Sequence, residues 1–240
     1  MRVKIAPQGF EREVVYSEDR WRLLKSFRDK AFKIMSEIDL LGVKSFVIGS
    51  IARGDVHEDS DIDIVVLDEI SINTLFTRIE RLGGCSHIDI VMATPSHTPK
   101  IYFYLDPSEK IVVSTSLARL NRVETEFYMF GGMIDREGIL RGERVPGVDK
   151  RLMLITPTQR GHIESSILGR EAEVAKILGI SIETVMDRVK TLVKRDLHGR
   201  SGVFLKQSFP CDVSLEYVIK DLCRRNKIFR RQMARDNICI

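Results

Sequence analysis

The sequence predicts an α/β domain, built as a small mixed sheet with flanking helices, followed by a second and mostly helical domain. Three observations carry this. Residues 17–92 alternate between apolar residues at three- and four-residue steps and short apolar runs closed by polar or glycine-rich turns. Residues 146–162 are dense in turn formers, and beyond them the periodicity is helical. The charge also changes sign: residues 1–150 hold 21 Lys+Arg against 24 Asp+Glu, whereas residues 151–240 hold 17 against 10.

Each element follows from a local pattern. Over residues 17–41, Trp21, Leu24, Phe27, Ala31, Ile34, Met35 and Ile38 make one apolar face of a helix that Gly42 stops. Residues 45–48 and 61–67 read as strands joined by a polar loop. Ser71 is positioned to cap a helix using Ile72, Leu75, Phe76, Ile79 and Leu82 and ending at Gly83-Gly84, after which residues 87–92 read as a third strand. Residues 100–105 and 111–114 form a strand pair around Asp106-Pro107. Thr115 then opens a helix through Leu117, Leu120, Val123, Phe127 and Phe130 to Gly131-Gly132. The expected domains are therefore 1–148 and 149–240, with the boundary near residue 149.

Composition narrows the function classes. With 240 residues and 43% hydrophobic content, the chain has the material for one large core or two ordinary ones, which excludes disorder throughout. Cys85, Cys211, Cys223 and Cys239 form no Cys-x-x-Cys pair, and the N-terminus does not read as a secretory leader. The expectation is reduced thiols in a cytoplasmic protein, with no disulfide scaffold and no zinc ribbon. Charges interrupt every long apolar segment, so no membrane span or membrane partner is expected.

The chemistry-bearing pattern is Gly49-Ser50, ten residues, then Asp61-Ile62-Asp63-Ile64. Residues two apart in a strand share a face, so Asp61 and Asp63 present two carboxylates together while Ile62 and Ile64 face the core. Paired carboxylates repel, and a hard divalent cation relieves them; Mg²⁺ binds through one or two carboxylates and completes its shell with phosphate oxygens and water. Asp89 lies at the centre of the next expected strand and becomes a third acid if that strand pairs beside the first. A Gly-Ser turn at a strand end lets backbone N–H groups approach a triphosphate, with the Ser50 hydroxyl as an added donor and Arg53 within reach of the same phosphates. Two metals held by three acids would serve an in-line displacement at phosphorus.

At these residues the chain resembles the DNA polymerase beta-like nucleotidyltransferase superfamily: a strand, Gly-Ser, a loop of about ten residues, Asp-x-Asp, and a later third acid. The Gly49-Ser50-Ile51-Ala52-Arg53-Gly54-Asp55 variant looks like the minimal nucleotidyltransferases. The whole chain looks like archaeal nucleotidyltransferases carrying an added DNA-binding domain. The resemblance covers residues 44–92. It implies phosphate binding at Gly49 and Ser50, metal binding at Asp61 and Asp63, and a catalytic-metal and acceptor-deprotonating role at Asp89.

The second domain has its own signature. A short helix with Val174, Ala175 and Leu178 stops at Gly179, and Ser181 caps a second helix with Val185, Val189, Leu192 and Val193 inward, which is helix-turn-helix spacing. Residues 199–202 followed by Val203-Phe204-Leu205 read as a wing, making a winged helix-turn-helix domain. Arg188, Lys190, Lys194 and Arg200 are its candidate contacts to DNA or RNA, and residues 215–235 read as a basic C-terminal helix.

The expected function is a nucleotidyltransferase that uses Mg²⁺, two ions with Mn²⁺ as a substitute, to move AMP or another NMP from an NTP to an acceptor hydroxyl. The acceptor classes are a protein side chain, a small molecule or an RNA end. Two other readings stand beside it: a nucleotide-sensing DNA-binding regulator, and a partner that neutralises a helical toxin. The oligomeric state is left open, with a dimer compatible.

Overall fold

The computed structural model describes residues 4–199 and 202–234. It opens with β1 (Glu11–Val15), whose mostly charged sequence carries no periodic signal, and α1 (Glu18–Asp39), in which Leu24, Ala31, Ile34, Met35 and Ile38 are buried as the spacing predicts. Then come β2 (Ser45–Ile48), the single turn α2 (Ser50–Arg53), β3 (Ile62–Val66), α3 (Ile72–Glu80), β4 (His87–Met92) and β5 (Lys100–Tyr104). Strand β6 (Ile111–Ser116) runs past Thr115, so α4 (Arg122–Gly131) begins later than its sequence suggests. The Ser114 and Thr115 hydroxyls donate to the Ile64 and Val66 carbonyls at 3.4 and 2.9 Å, which fastens this end of β6 to its parallel neighbour β3.

After α4 follow β7 (Met133–Asp135), α5 (Arg136–Leu140), β8 (Gly147–Val148), β9 (Met153–Thr158) and β10 (Gly161–Ser166). The segment expected to be a linker is therefore a hairpin. Gln159 and Arg160 join its strands, Gly161 already being paired with Thr158, and Met153, Leu154 and Ile155 are buried within it. Helices α6 (Glu171–Leu178) and α7 (Ile182–His198) appear where the sequence places them, followed by β11 (Leu205–Phe209), α8 (Leu215–Arg225) and α9 (Lys227–Met233). The single tail helix expected over 215–235 is two helices, because the Asn226 side chain accepts from the Ile228 and Phe229 N–H groups and starts a new one.

The chain divides into two compact units, and not at residue 149: one takes residues 1–32, 47–60 and 122–201, the other 33–46, 61–121 and 202–240. In the first, the sheet runs β1-β10-β9-β8, antiparallel throughout. Phe130, Val148, Leu154, Ile167, Val174, Leu178 and Val185 form one buried cluster, so the α6–α7 pair shares a core with α4 and with the β8–β9 sheet. The N-terminus of α7 is held by Glu126, whose Oε2 accepts from the Ser181 backbone N–H at 3.1 Å and from the Ser181 and Thr184 hydroxyls. Burial alone would raise the Glu126 pKa; these hydrogen bonds and the Arg122 charge bring it below the ordinary carboxylate value.

The second unit is built on the strand order β11-β4-β5-β6-β3, with β2, which begins in this unit, next to β3. The β3–β6 pair is parallel; β11–β4, β4–β5 and β5–β6 are antiparallel. One face is apolar: Ile62, Ile64, Ile88, Ile90, Ile101, Phe103 and Val113 are fully buried, as are Leu75 and Ile79 of α3, and Phe76 stacks on Phe103 with ring centroids 5.6 Å apart. The wing expected over residues 199–205 falls partly on Arg200 and Ser201, which lie outside the described residues. Strand β11 pairs with β4 from Leu205 opposite Met92 to Phe209 opposite Ile88 and covers that sheet edge. The same pairing overturns the expectation of reduced thiols at Cys85 and Cys211, which lie just beyond the paired ends and form a disulfide with Cα atoms 6.0 Å apart.

Candidate active site

In the first unit, Gly49 holds φ +72°, a left-handed value that lets the chain leave β2 and enter α2 directly. The Gly49 N–H donates to the Gly132 carbonyl at 2.9 Å, and the Ser50 hydroxyl to Ser60 Oγ at 3.3 Å. Ser60 Oγ also accepts from the His57 N–H at 3.0 Å. The Gly-Ser turn is thus tied, across the ten-residue loop, to the residue that immediately precedes Asp61. Arg53 does not point its guanidinium at this turn as a spare cation. It is 6% exposed; Nε and Nη2 each sit 3.0 Å from an Asp55 carboxylate oxygen, and Nη1 donates to the Gly131 carbonyl. Its placement is that of a buried ion pair bracing the loop.

In the second unit, Asp61 is exposed one residue before β3 and Asp63 is half-buried within it, on the face opposite Ile62 and Ile64. Lys110 Nζ lies 3.9 Å from Asp61 Oδ1. The registers extend this face in rows: Asp63 is level with Val112, Tyr104 and His87, and the next row runs through Ser114, Tyr102, Asp89 and Ser208. Tyr102 has its hydroxyl pushed up to about 12, first by burial and then by the negative charges of Asp63 and Asp89. Burial, followed by the negative charges of Asp89 and Glu109, raises Tyr104. His87 stacks on Tyr104 with centroids 4.3 Å apart.

Asp89 does not join the other two acids. Strands β5 and β6 separate β4 from β3, a span of three strand spacings or about 14 Å, beyond what two aspartates sharing one ion can bridge. Its side chain is fully buried. The Ser208 hydroxyl donates to Oδ1 at 2.5 Å and Lys206 Nζ is 2.8 Å from Oδ2, the hydrogen bond to Asp89 being the main reason the Lys206 pKa is raised. Among the described residues no cluster of three or more His, Cys, Asp or Glu side chains is arranged to hold a metal. The pair Asp61 and Asp63 still offers two hard carboxylates on one face, a donor set suited to a Mg²⁺ whose remaining ligands are phosphate and water.

The residues missed in the sequence are Tyr102 and Ser208, and Lys206, expected as a phosphate contact of the wing, is paired with Asp89. Tyr102 was readable, because the alternation of Lys100-Ile101-Tyr102-Phe103-Tyr104 puts Lys100, Tyr102 and Tyr104 on one face. Ser208 and the pairing of Lys206 with Asp89 carried no signal, since their strand pairs with a segment more than a hundred residues earlier.

Of the candidate nucleic-acid contacts, Lys190 and Lys194 are exposed on α7, and Arg200 lies outside the described residues. Arg188 is turned back over the Phe127 ring, 4.7 Å from its centroid, and burial followed by the nearby Arg195 charge lowers its pKa. It serves packing between α4 and α7.

The local arrangement is a Gly-Ser turn joined by a ten-residue loop to an Asp-x-Asp strand. The family model described as a nucleotidyltransferase domain matches residues 28–73, which include Gly49, Ser50, Asp61 and Asp63 and stop short of Asp89. Over that segment the chain is similar to a nucleotidyltransferase domain. No curated protein matches the chain. Among solved structures, the chain is similar to one described as the polymerase core of TRAMP, an RNA surveillance complex, with 18% identity and a TM-score of 0.30 over 47% of this chain. The match spans 36% of that chain's length.

Proposed function

We propose that this protein transfers a nucleoside monophosphate from an NTP to an acceptor hydroxyl and releases pyrophosphate. The observation that carries the reading is the tie between Ser50 and Ser60, which joins the Gly49-Ser50 turn to the start of the Asp61-x-Asp63 segment, all inside the matched domain. Gly49 and Ser50 bind the phosphates, with the Ser50 hydroxyl exchanging Ser60 for a phosphate oxygen. Asp61 and Asp63 hold Mg²⁺, which when bound offsets the negative charge of the phosphates and polarises the phosphorus under attack. The acceptor oxygen forms a bond to the α-phosphorus, the bond to the bridging oxygen breaks, pyrophosphate leaves, and the acceptor proton passes to solvent or to a carboxylate. ATP is the donor to offer first. The acceptor is a hydroxyl of a protein, a small molecule or an RNA end. The reading assigns no metal to Asp89, whose carboxylate is engaged by Lys206 and Ser208.

The test is transfer of label from α-labelled ATP together with pyrophosphate release, in Mg²⁺ or Mn²⁺, with cell lysate supplying acceptors. An Asp61→Asn/Asp63→Asn variant is expected to lose about a hundredfold or more of the labelling rate. Undiminished labelling by that variant sinks the assignment. Metal-dependent ATP binding with no labelling by the wild type would instead support a nucleotide-sensing regulator.

A further inference from the structure

Helix α7 carries two apolar lines. Thr184 and Val185 are fully buried against the core of the first unit, as a helix-turn-helix requires. A second line, Ile182, Met186, Val189 and Val193, lies along a groove walled on its other side by residues 169–173 at the start of α6. Ile182 and Met186 are 44% and 56% exposed, whereas Val189 and Val193 are partly buried and pack with one side against the unit's own core, so the line is only partly consumed by that core. Its spacing of four, three and four is that of a two-helix seam.

The charges beside the seam are divided by half. Glu183 and Asp187 occupy the first half of the exposed surface, Lys190 and Lys194 the second. The acidic half is poorly suited to a phosphate backbone, and Arg188 is committed to Phe127. A surface with acids at one end and bases at the other is complementary to itself when turned around.

We propose that α7 is the contact through which two copies of this chain associate, antiparallel across a two-fold axis. In that arrangement Ile182 meets Val193 of the second copy and Met186 meets its Val189, each contact made twice. The heptad assignment that puts these four in the seam puts Glu183 and Lys190 at equivalent flanking positions, which face each other between antiparallel helices. Glu183 is 3.1 Å from Arg122 in this structure; both are more than half exposed, and a pair of that kind is readily exchanged for Lys190 of the second copy.

The experiment is sedimentation equilibrium and size-exclusion chromatography with light scattering on the full chain, over a hundredfold range of concentration. The wild type is expected to reach the mass of two copies. Met186→Glu is expected to raise the dissociation constant by at least about tenfold, since two side chains lose their burial. Because Met186 is exposed, the far-ultraviolet spectrum and melting of the diluted variant should match the wild type. Glu183→Lys and Lys190→Glu should each weaken association by placing like charges together, and the double variant should restore it. A wild type that stays single-copy at the highest concentration overturns the proposal, including when it binds a DNA duplex in that state. So does a Met186→Glu variant that associates like the wild type, or a double variant no better than its singles.

Discussion

Glu164 is 4% exposed, yet three ionisable side chains reach its carboxylate. Arg12 and Arg151 reach its oxygens at 2.6 Å each and His162 Nε2 at 3.3 Å, while the Tyr16 hydroxyl sits 2.6 Å from His162 Nδ1. Burial alone would push the carboxyl up; hydrogen bonds from Arg151 and Arg12 outweigh it and bring the group from 4.5 down to about 2. His162 is lowered as well, by burial, against the opposing pull of Glu164. In both cases the unfolded chain binds protons more readily than the folded one, so stability present at neutral pH is lost on acidification. The loss begins as pH falls below the ordinary His value of 6.5 and is completed between 4.5 and about 2 as Glu164 protonates. Thermal melting across pH should show both phases, and Glu164→Gln should shrink the lower one, leaving the share that Glu126 contributes, while reducing stability at neutral pH. A variant whose low-pH phase is undiminished would place the titrating group elsewhere. None of this was visible in the sequence, because Arg12 and Glu164 are 152 residues apart and their strands gave no periodic signal.

At the scale of elements, periodicity recovered what local burial dictates and lost what pairing dictates. Helix α6 buries the residues that its spacing marks and α1 most of them, α3 buries Leu75 and Ile79 of its marked face, and α7 buries Val185 while Val189, Leu192 and Val193 are partly buried; the Asp61-x-Asp63 alternation placed both acids away from the apolar face. Asp89 was equally legible as a strand residue, but its neighbour was not: strand order depends on the whole sheet, and it put β5 and β6 between the acids. The hairpin β9–β10 was hidden because its turn formers also suit a linker. Its third strand, β1, depends on close approach at Gly161, where an added Cβ would lie 1.9 Å from the Val14 carbonyl oxygen. Gly161→Ala must therefore push β1 away from β10. The expected cost is about 2–3 kcal/mol by overpacking, with β1 amides losing protection first. Denaturant unfolding gives the magnitude and hydrogen exchange the location; unchanged protection in Val14 and Val15 would show that the strand absorbs the methyl group elsewhere.

Across the whole molecule, the path of the chain explains a cross-link that cysteine spacing argued against. The chain leaves the second unit after Asn121 and returns at Gly202, and the excursion contains more than half of the first unit. Cys85 and Cys211 stand on either side of it, 126 residues apart, at the ends of the paired strands β4 and β11. Their disulfide therefore closes a loop around the excursion, and in the unfolded chain a closure of that length removes conformational freedom amounting to about 2–5 kcal/mol of stability. In the folded state the β4–β11 ladder already fixes the two ends, so the bond's effect falls mainly on the unfolded ensemble. A Cys85→Ser/Cys211→Ser variant is expected to keep the wild-type near-ultraviolet spectrum and the Lys206–Asp89 geometry, while its denaturation midpoint drops by an amount within that range. The matching check is refolding from denaturant under oxidising conditions: the wild type should regain β11 docking faster, since its ends are already tethered. Equal midpoints for variant and wild type would mean that the unfolded chain gains nothing from release of the cross-link. A changed spectrum would mean instead that the bond, and not the ladder, holds β11 in place over Asp89.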